Sequence, residues 1–232
     1  MCPGQTVHPQ AQPLRRPTAS QPAGAPDNWD VKFQPYFFGT TKSANRGFTL
    51  IELLVSLSVL AILMGLAVPS FRATIAANQL TSRTNELVSA LNMARSEAIR
   101  RGSRVTLCKS STGTSCSSTG DWEQGWVVFV DTTRSGTTAS IDSGETVLLV
   151  QQAVSGSTLI KGNLTVNSYV SFGADGRPRT LAGISTLGML RSCNTSTALT
   201  NNSRARDVEL SRVGRLSTST PTSVASTCPA PT

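Results

Sequence analysis

The sequence predicts an α+β protein in which one long N-terminal helix packs on an antiparallel β-sheet head. Three observations carry that prediction. Residues Phe48 to Val68 form a 21-residue apolar run with Glu52 as its only ionisable side chain. Leu80, Leu87, Leu91, Ala94 and Ala98 then recur at spacings of three, four and seven, the signature of one buried helix face. After Gly102 the hydrophobic period shifts towards two and β-branched residues become frequent.

The first half of the helix, 48–68, is long enough at a helical rise to span roughly 30 Å, the thickness of a bilayer core. Lys42 and Arg46 immediately precede it and favour a cytoplasmic N-terminus, so the remainder is expected on the far side of the membrane. Glu52 is the anomaly. A carboxylate at mid-bilayer costs about 2.5 kcal/mol or more, and a plain anchor gains nothing from it. Cutting after Gly47 would expose an α-amine on Phe48, cationic near neutral pH, one helical turn from Glu52.

The second half, 69–102, is amphipathic, with Arg83, Glu86, Arg95, Glu97 and Arg101 away from the apolar stripe. Pro69, four residues after Gly65, predicts a bend or a melted turn between them. Gly102 is placed to cap the helix, and Arg100 and Arg101 suit the negative end of its dipole.

Strands are expected at 103–109, 126–131, 147–152, 164–172, 187–193 and 207–213, separated by Gly, Ser, Thr, Asn and Asp. Trp122 and Trp126 flank Gly125 and read as packing residues of the sheet. The head is expected over 103–216, followed by a Ser/Thr-rich tail, 217–232.

Five cysteines are present, of which Cys2 precedes the apolar run. Cys108, Cys116, Cys193 and Cys228 remain, and in an oxidising compartment they allow three disulfide connectivities. The favoured one joins Cys108 to Cys116, which bracket a Ser/Thr/Gly loop, and Cys193 to Cys228, which would tie down the tail. No CxxC spacing supports a metal site.

The chain carries 21 Lys and Arg against 13 Asp and Glu, a net charge of +8; beyond Gly47 the counts are 16 and 11. The sole histidine, His8, lies before the apolar run, so an imidazole base and a Cys-His pair are unavailable after it. No nucleophile elbow and no phosphate loop occurs. Asp121, Glu123 and Asp131 fall mostly at turns and read as solvated. The sequence therefore predicts no enzyme, no cofactor and no metal.

The string RGFTLIELLVSLSVLAILMGLAVPSF resembles the class III signal of type IV pilins and pseudopilins. That resemblance implies cleavage between Gly47 and Phe48 by a prepilin peptidase, removal of the leader 1–47, methylation of the Phe48 amine, and a role for Glu52 in assembly. Residues 1–47 are long for such a leader, and a start at Val31 would shorten it. WEQGWVVFVD, preceded by RRGSRVTLC and followed by Ser171-Phe172-Gly173, resembles the GspH/FimT branch of minor pilins and pseudopilins. The resemblance implies the type IV pilin fold and a non-catalytic subunit, anchored in the bacterial inner membrane with its head in the periplasm. It implies other major and minor pilins or pseudopilins as partners, in a pilus, its priming tip, or a type II secretion pseudopilus.

Some FimT-like members are DNA receptors in natural transformation, with a Gly-Arg-x-Arg motif near the final strand. Here Val213-Gly214-Arg215-Leu216-Ser217 has Ser217 in place of the second Arg, while Gly176-Arg177-Pro178-Arg179 sits earlier. The turn at Asp175-Gly176 is expected to expose both Arg177 and Arg179 at a hairpin tip. With Arg206, Arg212 and Arg215 these are the candidate contacts to double-stranded DNA; Arg204 lies in the same basic stretch. The plainer reading of all of them is a solvated face near Asp175, Asp207 and Glu209.

Overall fold

The structure, a computed structural model, describes residues 47–133, 138–153 and 156–232. The expectations for Cys2, His8, Val31, Lys42, Arg46 and the rest of 1–46 lie outside the described residues. One helix, α1 (Leu50–Arg101), is followed by strands β1 (Val105–Lys109), β2 (Trp126–Val130), β3 (Val147–Gln151), β4 (Thr158–Gly162), β5 (Tyr169–Phe172), β6 (Gly188–Asn194), β7 (Ala205–Leu210) and β8 (Leu216–Ser219).

Both ends of α1 are closed by their own sequence. Thr49 adopts extended backbone angles and its hydroxyl accepts the Glu52 amide at 3.2 Å, satisfying one of the orphan donors of the first turn. Gly102 takes φ 60° and donates its amide to the Ala98 and Ile99 carbonyls, a left-handed cap that suits glycine. In the last turns Arg100 and Arg101 both donate to Glu97, and these bonds, Arg100 first, hold its carboxyl down to about 2.

No melted turn forms between Gly65 and Pro69: helical structure runs unbroken through both. Proline removes one donor, so the Gly65 carbonyl loses its partner four residues on. The ladder continues for many turns on either side, and a single missing bond does not end it.

The head is built from two antiparallel four-stranded sheets, β3-β2-β1-β5 and β4-β6-β7-β8, where the sequence suggests one. The buried face of α1, from Ala76 and Leu80 to Ala98, supplies the common core. Leu87, Leu91, Ala94 and Ala98 meet Val105, Leu107, Trp126, Val128 and Phe172 from the first sheet and Ile160, Leu190, Val208 and Leu210 from the second. Trp122 and Trp126 are both fully buried here, and the Trp122 indole donates to the Val166 carbonyl at 3.1 Å. Thr106 and Cys108, of the alternate parity on β1, face the other way. Cys108 packs with Val127, Phe129 and Leu181 in a second, outer cluster.

Three strands differ from expectation. The expected strand 164–172 begins only at Tyr169, because Asn163 forms a turn: its side-chain oxygen accepts from Thr165, and its carbonyl accepts the Val166 amide. β4 and β8 are not among the expected strands; β8 is four residues and reads Leu-Ser-Thr-Ser across the expected boundary between head and tail.

Two disulfides close the four cysteines, Cys108 to Cys116 and Cys193 to Cys228. The last segment turns back over the second sheet. Val224 donates its amide to the Asn201 carbonyl, and Cys228 and Val224 pack with Cys193 and Ala205. Arg191, paired to Asp207 at 2.7 Å, also donates to the Pro229 carbonyl.

The acids expected in solvent are not all there. Asp131 is 5% exposed and accepts the Thr106 hydroxyl at 2.8 Å; burial pushes its carboxyl above the ordinary value. Glu123 accepts the Ile160 amide at 3.1 Å and joins the short 3-10 turn Trp122–Gln124 to β4. Both replace backbone or hydroxyl partners that a strand end or loop would otherwise lack.

Candidate functional site

The first half of α1 stands clear of the head. Gly47, Phe48 and every residue to Arg72 are exposed, and Phe48, Leu66 and Phe71 show 83%, 74% and 69% of their surface. Among the described residues this is the one helix long and apolar enough to cross a membrane, and none of its apolar window is buried. Burial begins at Ala76, whose carbonyl accepts from Asn194 of β6 at 3.4 Å. One continuous rod is therefore bare at one end and fixed between two sheets at the other.

The Glu52 carboxylate makes no ion pair among the described residues; the hydrogen bonds at this residue are made by its backbone, the amide to the Thr49 cap and the carbonyl from the Ser56 hydroxyl. Thr49 is the residue that reading for membrane charge misses. Its signal was present, because Thr followed three residues later by Glu is the pattern of a capping box. The cap at Thr49 starts the helix at Leu50, so Phe48 and Gly47 stay outside it and exposed.

The arginine segments are brought together. Arg95, from the polar face of α1, donates to the Gly176 carbonyl at 3.1 Å and to the Val213 carbonyl at 3.4 Å. The turn at 173–176 and the β7–β8 turn at 211–214 thus meet on one helical side chain. Arg177 is the outward member of the first turn, with its side chain 60% exposed and 3.9 Å from Asp175. Arg179 is not free at the tip as expected. It is tied to Asp175 at 2.7 Å and to the Gly183 carbonyl at 3.1 Å, and the Arg179 bond is the leading cause of the lowered Asp175 pKa. Arg212 and Arg215 of the second turn are exposed.

Two members of the basic stretch are turned to structure. Arg206 is half-buried and donates to the carbonyls of Ala205 and Ser203 at 2.7 and 3.3 Å. Arg204 is buried, contrary to a solvated face, and holds the carbonyls of Asn194, Ser196 and Leu199. A planar guanidinium with five donors can collect several loop carbonyls at once, which explains an arginine in that position. Among the described residues no group of three or more His, Cys, Asp and Glu has the spacing of a metal site.

A family model described as type II transport protein GspH matches residues 83–214, and one for the prokaryotic N-terminal methylation motif matches residues 42–68. No curated protein matches the chain. Among solved structures, the chain is similar to two crystal structures of the type IV minor pilin FimU from Pseudomonas aeruginosa strain PAO1. One is 18% identical, with 63% of this chain and 95% of that chain covered at a TM-score of 0.43. The other is 19% identical, with 65% and 98% covered at a TM-score of 0.41. The GspH match runs from the middle of α1 to the turn before β8, over more than half of the chain, and the methylation motif covers the apolar start of the helix. The chain belongs to the GspH family and is a pilin-like structural subunit.

Proposed function

We propose that the chain is a minor type IV pilin, a non-catalytic subunit matured by a prepilin peptidase that cuts between Gly47 and Phe48. The leader 1–47 is removed and the Phe48 amine methylated. The helix 48–68 then holds the subunit in the bacterial inner membrane, with a periplasmic head that starts at 103 and takes in β8 and the disulfide-tied end of the chain. From there it joins other pilins in a pilus or its priming tip. The observation that carries this reading is the unbroken α1: its bare half offers an apolar surface with one carboxylate, while its amphipathic half, 69–102, is continuous with the buried core.

Glu52 pairs with the Phe48 amine of a neighbouring subunit and sets the axial register. The free Glu52 side chain supports this, since Thr49 caps the helix without it. Glu52→Leu should insert into membranes normally and fail to enter filaments; filaments carrying the variant at the wild-type level would sink the register role. N-terminal sequencing of the mature protein tests processing separately, and a first residue other than Phe48 refutes it.

Double-stranded DNA is a second reading. The meeting of the two turns on Arg95 favours it, because it sets Arg177, Arg212 and Arg215 near one another. Arg179 and Arg206, spent on local acceptors, contribute less. Such contacts would act on phosphates, without base readout, and weaken steeply with salt. A place in a type II secretion pseudopilus is the same structural role in another assembly; loss of secretion with normal piliation on deletion would select it.

A further inference from the structure

We propose that the head carries a binding pocket for a small oxyanion, a carboxylate or phosphate group, built on Arg104 where α1 passes into β1. The cavity there has a volume of about 340 Å3 and is lined by Gly102, Ser103, Arg104, Ala174, Asp175 and Arg179, among others. Arg104 is only 7% exposed. Its Nη1 donates to the Leu181 carbonyl at 3.1 Å, which fixes the guanidinium without neutralising it. Among the described residues no carboxylate oxygen lies within 4.0 Å of it.

A buried guanidinium with no carboxylate in contact is costly, and proteins satisfy such groups with a partner. The obvious internal partner is used elsewhere. Asp131 stands opposite Arg104 across the β1–β2 ladder, its amide donating to the Arg104 carbonyl; its carboxylate feels the Arg104 charge from beyond contact distance, and its bond is from Thr106, which is linked in turn to Ser171. Asp175, at the rim, is shared between Arg179 and Arg177. The Nε and Nη2 donors of Arg104 have no acceptor among the described residues, although a buried unsatisfied side-chain atom is found there only at Trp126 and Ser192. Those two donors therefore reach accessible space. An arginine fork presented to a cavity is the geometry that receives a carboxylate or phosphate through two parallel bonds. The occupant is a free oxyanion or an Asp or Glu side chain of an adjoining subunit.

The test is a titration of the full chain in detergent with inorganic phosphate and with acetate, chloride replacing either at constant ionic strength. A saturable rise of the thermal midpoint, about 3–6 °C at ten times the dissociation constant, is expected with at least one of them. Arg104→Gln should abolish the response. Ala174→Phe, which keeps Arg104 and fills the pocket from an exposed position, should do the same, and Arg215→Gln should leave it intact. A response to free anion that is saturable identifies the free source. A response seen only as loss of Arg104→Gln and Ala174→Phe protein from filaments, with Arg215→Gln protein retained, identifies the neighbour's carboxylate. No response to either anion together with normal filament entry of both pocket variants overturns the proposal, as does a response that survives in both.

Discussion

Gly214 lies against the Gly176 carbonyl: a Cβ built on Gly214 would stand 2.2 Å from that oxygen. Gly214 also has φ 79°, so both its conformation and its lack of a side chain are used. Gly214→Ala should drive the two arginine turns apart and lower stability by about 1–3 kcal/mol in chemical denaturation. If the turns act together on DNA, the same variant should also reduce retention of double-stranded DNA at low salt, with each arginine unchanged.

The two disulfides should differ in worth. Cys193 and Cys228 are 35 residues apart and Cys108 and Cys116 only 8. By loop-closure entropy the longer crosslink contributes about 4 kcal/mol and the shorter about 2.5. Replacing each pair with Ser and comparing denaturation midpoints of the full chain checks the order; equal losses would contradict the entropic account.

The halves of α1 should separate cleanly by mutation. Leu91 is fully buried in the shared core, and Leu91→Ala should cost the head about 2–5 kcal/mol. Leu60 is exposed on the bare half, so Leu60→Ala should leave head unfolding within about 0.5 kcal/mol of wild type and act on assembly alone. Denaturation and filament fractionation of both variants measure the two effects.

Asp131 gives a pH signature of known sign. Burial raises its folded-state pKa above the ordinary 3.8, so folding favours the protonated form. Its contribution is best at low pH and is lost as pH rises from about 4 through the folded pKa. Asp131→Asn keeps an acceptor for Thr106 without the charge. The stability of the variant relative to wild type should grow as pH is raised from 4 to 7, and a constant difference would refute burial as the cause.

The helix was legible because its signals are local. Phe48 to Val68 is continuous, the Leu80 to Ala98 stripe repeats, and Gly102 marks the stop, so each could be read without knowing the partner surface. The division into two sheets was not, because pairing of β4 with β6 or β1 with β5 depends on residues far apart in sequence. Polar roles were hardest. Arg204, Arg179 and Asp131 look like surface charges by type, and only the loop carbonyls and hydroxyls folded around them show otherwise. For the candidate site the same split holds: Glu52 stands out by composition, whereas the meeting of Gly176 with Gly214 has no local signature.

The absence of a break in α1 has a mechanical consequence. Tension applied to the head while the apolar half is gripped must travel along one rod, so the Leu80 to Ala98 face is loaded in shear, with many side chains resisting together. Peeling, which would open contacts one at a time, has no joint from which to begin. The softest link lies below the head, at the turn where Pro69 leaves the Gly65 carbonyl without its donor, so stretching strain should gather there before the globular part yields.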